Sequence, residues 1–246
     1  MKLKILISIN KLISCLIPFR KYRQLFRERF VNSLKWKLSN QSFSQEGEDL
    51  IILRHFKEKK NGFYIDIGAH HPFRFSNTAL LYKIGWNGIN IDATLGVKQT
   101  FDKERVRDIN IEALVSNETD IKSFYMFDEP ALNTCDFHVA QRLIEKGNKL
   151  IKKLDLESIS LKKILEDNIN NGQVIDFLSI DVEGHGYEVL SSNDWLLYRP
   201  EIIAIEVLDT VSIEDALLTE ESIFLKDKDY FLFSKTVNTL IFKKLK

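Results

Sequence analysis

The chain has 246 residues (28.7 kDa), with 35 basic and 35 acidic side chains and hence no formal net charge. An α/β chain of this length is ordinarily one domain, and 44% apolar with 28% charged residues excludes a disordered chain, a collagen and an integral membrane bundle. Two cysteines, Cys15 and Cys135, are too few for a disulfide framework or a zinc site and suit a reducing compartment, so a cytoplasmic location is expected.

The neutrality conceals an asymmetry. Residues 1–40 carry ten basic side chains against one acid, Glu28, a net +9 that leaves −9 on the other 206 residues. The expected organisation is therefore a basic arm, 1–40, followed by an acidic domain, 41–246. The acidity of that domain argues against nucleic acid as its partner. Residues 5–19, ILISINKLISCLIPF, fall short of the roughly 20 apolar residues that span a bilayer. At 100° per residue Ile5, Ile9, Leu12, Ile13 and Leu16 share a face, with Lys4, Ser8, Lys11 and Ser14 mostly opposite and Ile7 on the wrong side. Such a helix, followed by Arg20, Lys21, Arg23, Arg27 and Arg29, suits either an anionic membrane surface, touched through residues 1–30 at its inner face, or packing on protein. Leu12-Ile13-Ser14-Cys15 resembles a lipobox, but Lys11 interrupts the apolar run and no small-residue cleavage site follows, so export is not expected.

Beyond the arm, helical and strand patterns alternate. Ser44-Gln45-Glu46 opens an amphipathic helix to about Lys59, with Ser44 as N-cap. Phe63–Ile67, ending in Gly68, reads as a buried parallel strand. A helix over 76–84, a strand over 89–92, a helix over 97–105 and a strand over 109–115 follow. Residues 117–157 are irregular, with a strand at 122–127 and a helix near 137–147. A helix over 161–168 precedes the most apolar strand, 174–181, then a helix to Leu190, a strand over 202–206, and an antiparallel pair, 230–233 with 239–242. Alternation of this kind predicts a mostly parallel sheet with helices on both faces and an antiparallel terminal pair, its site beyond the carboxyl ends of the strands. Asp66, Asp92, Asp181 and Glu206 all fall at such ends.

The first strand-to-helix turn is Asp66-Ile67-Gly68-Ala69-His70-His71-Pro72. It lacks the glycine-rich phosphate cradles of NAD and ATP sites, and an acid at its entry repels phosphate. Asp92, 26 residues after Asp66, stands near the position of a ribose-binding acid. A ribose diol without phosphate but with a cationic sulfur and an amino group, S-adenosylmethionine, meets these demands. His70 and His71 beside Asp66, with Asp181 and Glu206, form a set a divalent ion would tolerate; adjacent turn histidines more often serve as hydrogen-bonding groups, and no metal is expected. Gln45, Glu46 and Glu48 are either cofactor or acceptor contacts or merely an acidic helix start. Trp86 and Trp195 read as core, and Cys135, with no base beside it, as inert.

Several stretches resemble the FkbM-type methyltransferases: Ser44–Asp49, Phe63–Pro72, Gly88–Asp92, Ile180-Asp-Val-Glu-Gly184, Asn193-Asp-Trp195, and Arg199-Pro200 with the strand ending in Glu206. The resemblance covers roughly residues 41–207 and implies a Rossmann-like class I methyltransferase sheet and transfer of a methyl group to a hydroxyl, often of a saccharide. It further implies that Asp66 and Gly68 line the methionine end of the cofactor and Asp92 its ribose, with Ala69 and His70 also among the cofactor-binding candidates. Ser116 would lie near the adenine, and Asp181 and Glu183 would face the methyl group and acceptor. Three departures stand out: His70 where Asn is frequent, Gly186 where an acid is frequent, and Asp92-Ala93-Thr94 without the common proline. An O-methylation needs a general base, for which Asp181 and Glu183 are candidates and His185 the third. The rival readings are a cofactor-binding protein without turnover and a nicotinamide-dependent oxidoreductase, the latter opposed by the missing glycine fingerprint. Acceptor specificity is expected from 117–157 and 208–228.

Overall fold

The computed structural model describes residues 17, 22, 23, 26, 41–57, 59–170 and 172–245. The chain divides into two compact units, Met1–Gln41 and Ser42–Lys246. In the first, the Arg23 guanidinium donates to the Ile17 carbonyl at 2.8 and 3.0 Å. The apolar stretch 5–16 of the expected amphipathic helix lies outside the described residues. No helix among the described residues is long and apolar enough to cross a membrane.

The second unit is built on a seven-stranded sheet. Its strands are β1 (Phe63–Ile67), β2 (Asn87–Asp92), β3 (Ile109–Glu112), β7 (Phe177–Ile180), β8 (Ile202–Glu206), β9 (Tyr230–Lys235) and β10 (Thr239–Lys244), in the order β3-β2-β1-β7-β8-β10-β9. The five from β3 to β8 run parallel, and β10 lies antiparallel to both of its neighbours, β8 and β9. Every residue of β1 is buried, as parallel strands covered on both faces must be. On one face Ile65, Ile89, Leu178 and Ile203 pack with Leu161, Leu165, Val189 and Trp195. On the other Tyr64, Phe177, Ile202 and Ala204 pack with Ile52, Phe56, Leu81 and Trp86. These layers are the α/β methyltransferase sheet expected from the sequence. Trp86 and Trp195 are core, their indole N–H groups donating to the carbonyls of Lys59 and Leu190.

A second, three-stranded sheet, β4-β6-β5, comprises β4 (Leu114–Val115), β5 (Ile121–Phe127) and β6 (Leu150–Ile159). The single strand expected over 109–115 is therefore two. It breaks at Ala113, whose amide still donates to the Asp92 carbonyl, and then pairs with β6 instead of β2.

The helices also depart from expectation at their ends. The first, α1 (Glu48–His55), is shorter than 44–59, and its N-cap is Gly47 in the left-handed region. Ser44 lies upstream, donating to Asp49 Oδ1 at 3.0 Å while accepting from the Asp49 amide at 3.3 Å. Helix α2 (Ala79–Lys83) starts three residues late because the Ser76 hydroxyl caps the Ala79 amide from outside it. The helices α3 (Val97–Glu104), α4 (Phe137–Glu145), α5 (Leu161–Asn168) and α6 (Gly186–Ser191) follow the pattern. Unexpected are α7 (Ile213–Leu217) and α8 (Glu220–Asp227), and the whole of β6.

Candidate active site

The chain winds from β1 outward to β3 and then restarts at β7 on the other side of β1. Where winding reverses, the connections diverge and leave a crevice at the carboxyl ends of the strands. A cleft opens there, lined by the ends of β1, β2 and β7 and roofed by Phe124 of β5 and by residues between Pro130 and Cys135.

Gly68 makes the crevice possible. It holds φ +75°, and a Cβ on it would lie 1.7 Å from the Asp181 carbonyl oxygen, so no other residue fits between β1 and the end of β7. The chain then turns through His70, itself left-handed at φ 53°.

At the β2 end Asp92 is fixed by two backbone donors. The His70 amide gives to Oδ2 and the Thr94 amide to Oδ1, both at 2.7 Å. Each oxygen keeps a further lone pair for a ligand hydroxyl. Burial raises the Asp92 pKa above the usual carboxylate range, and the two amides oppose that shift. Beside it Ala93, Leu114, Val115 and Phe124 supply apolar lining. A carboxylate at the edge of an apolar slot, with no phosphate cradle, is what an adenosyl group requires, and these residues fit one.

At the β7 end three carboxylates converge. One oxygen each of Asp181, Glu183 and Glu206 lies within 4.8 Å of the others, a spacing that could hold a cation as well as shared protons. Burial, then the charge of Glu206, pushes Asp181 well above the carboxylate range. Burial and Asp181 push Glu183 to about 8, and burial and Glu183 push Glu206 to about 8. Three such groups cannot all be ionised near neutral pH, because each charge disfavours the next. Glu206 Oε2 is buried without a hydrogen-bond partner. Glu183 is held at φ 48°, its carbonyl accepting from the Thr134 hydroxyl at 2.8 Å.

The roof is tied to both walls. Asn133 Nδ2 donates to Thr94 Oγ1 at 3.0 Å on the β2 side, and Thr134 reaches Glu183 on the β7 side. Outside, Arg74 pairs with Glu129 through two bonds of 2.8 and 2.7 Å.

Of the residues singled out in the sequence, Gly68, His70, Asp92, Asp181, Glu183 and His185 line the cleft together. Asp66, Ala69 and Ser116 do not. Asp66 points into the sheet, where Thr78 Oγ1 donates to its Oδ2 at 2.6 Å, and burial raises its pKa. Ala69 is buried, its amide bonded to the Ile91 carbonyl. Ser116 is fully buried with its hydroxyl 3.1 Å from His185 Nε2, while His185 Nδ1 faces Glu188 at 3.4 Å. Burial lowers the His185 pKa, so the ring is a wall held on both sides. His70 and His71 stand apart from the three carboxylates, His70 beside Phe75 and Arg74.

Gln45 lines the cleft, whereas Glu46 is bound by the amide and side chain of Asn238, both at 2.9 Å, and Glu48 by the Thr239 hydroxyl. Cys135 also lines it, with its thiol pushed up to about 12 by burial and therefore protonated. Missed in the sequence were Phe75, Thr94, Phe124, Asn133 and Thr134. Only Thr94 carried a signal, since a residue two after an acid at a strand end commonly gives that acid its amide.

Sheet order, crevice and carboxylates together define a methyltransferase of the α/β class. Residues 66–232 match the Methyltransferase FkbM domain, and the chain belongs to that family. The match starts at the end of β1 and runs into β9, so it leaves out the Ser44–Asp49 stretch and reaches past the 207 at which the sequence resemblance stopped. Compared with curated proteins, the chain matches none.

Proposed function

We propose that the protein transfers a methyl group from S-adenosylmethionine to a hydroxyl of a saccharide, in a glycan or glycolipid. One observation carries this reading: one cleft is lined at one end by an amide-oriented carboxylate, Asp92, and at the other by Asp181 and Glu183, which Glu206 joins in a cluster of three mutually repelling carboxylates. Methyl transfer follows the family, and the saccharide follows the sequence resemblance.

When bound, the cofactor supplies a methyl carbon on a cationic sulfur, open to in-line displacement by an acceptor oxygen. Asp92 accepts from the ribose hydroxyls, and the apolar lining beside it takes the adenine. Asp181 and Glu206 share a proton, which leaves Glu183, at the cleft wall, as the general base. With the cofactor bound, Glu183 would take the acceptor's hydroxyl proton as the methyl group is transferred and S-adenosylhomocysteine leaves. A carboxylate pushed to about 8 is well matched to that task near neutral pH. Most of the acceleration is alignment, which Gly68 and Asp92 enforce by fixing where the cofactor lies.

The test is transfer of labelled methyl from S-adenosylmethionine to a panel of soluble and lipid-linked saccharides by the wild type and Glu183→Gln. Loss of about 10²–10⁴ in turnover is expected for the variant, with binding of the product S-adenosylhomocysteine, which lacks the sulfonium charge, kept within a few-fold. Full turnover by Glu183→Gln would remove it as base. Cofactor binding with no methylated hydroxyl anywhere would leave a cofactor-binding protein.

A further inference from the structure

We propose that Arg105 is a positioning residue of the cofactor site, a buried cation that fixes the loop after β1 and, through it, the Asp92 carboxylate. The proposal rests on the reading above, in which the cleft holds an adenosyl cofactor. Arg105 follows α3 directly, and its side chain is 0% exposed. All five of its N–H donors are engaged. Nε and Nη2 bracket the Pro72 carbonyl at 3.0 and 2.5 Å. Nη2 also gives to Ser76 Oγ at 2.9 Å, and Nη1 to Thr78 Oγ1 and Tyr64 Oη at 3.1 Å each. Asp108 Oδ2, 3.6 Å away and also fully buried, balances the charge, and Tyr64 Oη donates to it. The guanidinium lies near the rings of Tyr82 and Phe101.

The bonds converge on a segment that has no repeating structure of its own. Residues 68–78 run as turns and bends between β1 and α2, and besides Gly68 two of them, His70 and Phe75, hold left-handed backbones. Both line the cleft. Such conformations persist only where surrounding contacts over-determine them. Here the contacts come from Arg105, which grips Pro72, Ser76 and Thr78 on either side of Phe75. The same loop presents the His70 amide to Asp92 Oδ2, so a shift at Pro72 would release one of the two donors that aim Asp92. Thr78, whose hydroxyl accepts from Arg105, donates its own hydrogen bond to Asp66 near the end of β1. A lysine cannot reproduce this grip, since it has three donors at one point instead of five in a plane.

The experiment compares wild type, Arg105→Lys, Thr78→Val and Thr78→Ser in the full chain by S-adenosylhomocysteine calorimetry, cofactor KM against kcat, and hydrogen exchange of the 69–78 amides. Arg105→Lys should weaken product binding at least tenfold, move KM more than kcat, and speed exchange in 69–78 while the strands stay protected. Thr78→Val should act in the same direction, and Thr78→Ser should restore wild-type affinity. A folded Arg105→Lys with wild-type affinity and loop protection overturns the proposal. If that variant does not fold, wild-type affinity in Thr78→Val overturns it. Wild-type protein that binds no S-adenosylhomocysteine sinks the functional reading, and the exchange data, which need no ligand, then decide alone whether Arg105 fixes the loop.

Discussion

At the scale of single residues the site is a problem of crowded negative charge. Glu183 and Glu206 are shifted from 4.5 to about 8, so the folded protein holds protons that the unfolded chain releases between those values. Their contribution to stability is thus full below about 4.5 and is lost as pH rises towards about 8. Thermal unfolding between pH 7 and 8.5 should show the melting temperature falling with pH, and Glu206→Gln should flatten that slope. An unchanged slope would mean that the carboxylates ionise independently. Gly68 gives the second prediction: Gly68→Ala puts a methyl group onto the Asp181 carbonyl at a left-handed position. A loss of more than about 4 kcal/mol, or no folded protein at all, is expected in denaturant titration. The acids themselves were legible in the sequence, because Asp66, Asp92, Asp181 and Glu206 end apolar strand runs. Which of them face the cleft was not. Asp66 is the next-to-last residue of β1 and faces the sheet interior, and strand alternation decides such questions only when the ends of the strand are known to the residue.

At the scale of elements the parallel core was readable and its cover was not. Buried strands announce themselves as short apolar runs, and helix α5 as a capped amphipathic run. Strand β6 reads LIKKLDLESI, mostly exposed and rich in lysine, and it is held by pairing with β5 and β4 and not by an apolar run of its own. Helices α7 and α8 are short pieces whose one-sided packing leaves little periodicity. Of these covering elements, β6 supports the roof of the cleft by pairing with β5. Its outer tie, Arg74 with Glu129, is an exposed bidentate pair that adds at most about 1 kcal/mol to stability. Arg74→Ala should therefore leave the melting temperature within a few degrees while product dissociation, followed by stopped flow, becomes faster. An unchanged dissociation rate would mean that the roof does not move to release ligand.

At the scale of the whole molecule the second unit contains its own core, since both hydrophobic clusters of the seven-stranded sheet lie within 42–246. The chain lacking residues 1–41 should fold and bind cofactor as the full chain does, by calorimetry. The net charge of +9 on residues 1–40 is then free to serve location, and we propose that the arm holds the enzyme at an anionic membrane surface on the cytoplasmic side, near lipid-linked saccharides. Flotation with phosphatidylglycerol vesicles should carry the full chain upward and leave the truncated one behind; equal behaviour of the two would remove the membrane from the account. The central claim is the cofactor cleft, and thermal unfolding with S-adenosylmethionine, S-adenosylhomocysteine and NAD, in wild type and Asp92→Ala, tests it most directly. Ligand at about a hundred times its dissociation constant adds roughly 2.7 kcal/mol, a shift of several degrees. The account predicts that shift with both adenosyl compounds, none with NAD, and its loss in Asp92→Ala. No shift with either adenosyl compound at millimolar concentration would contradict it.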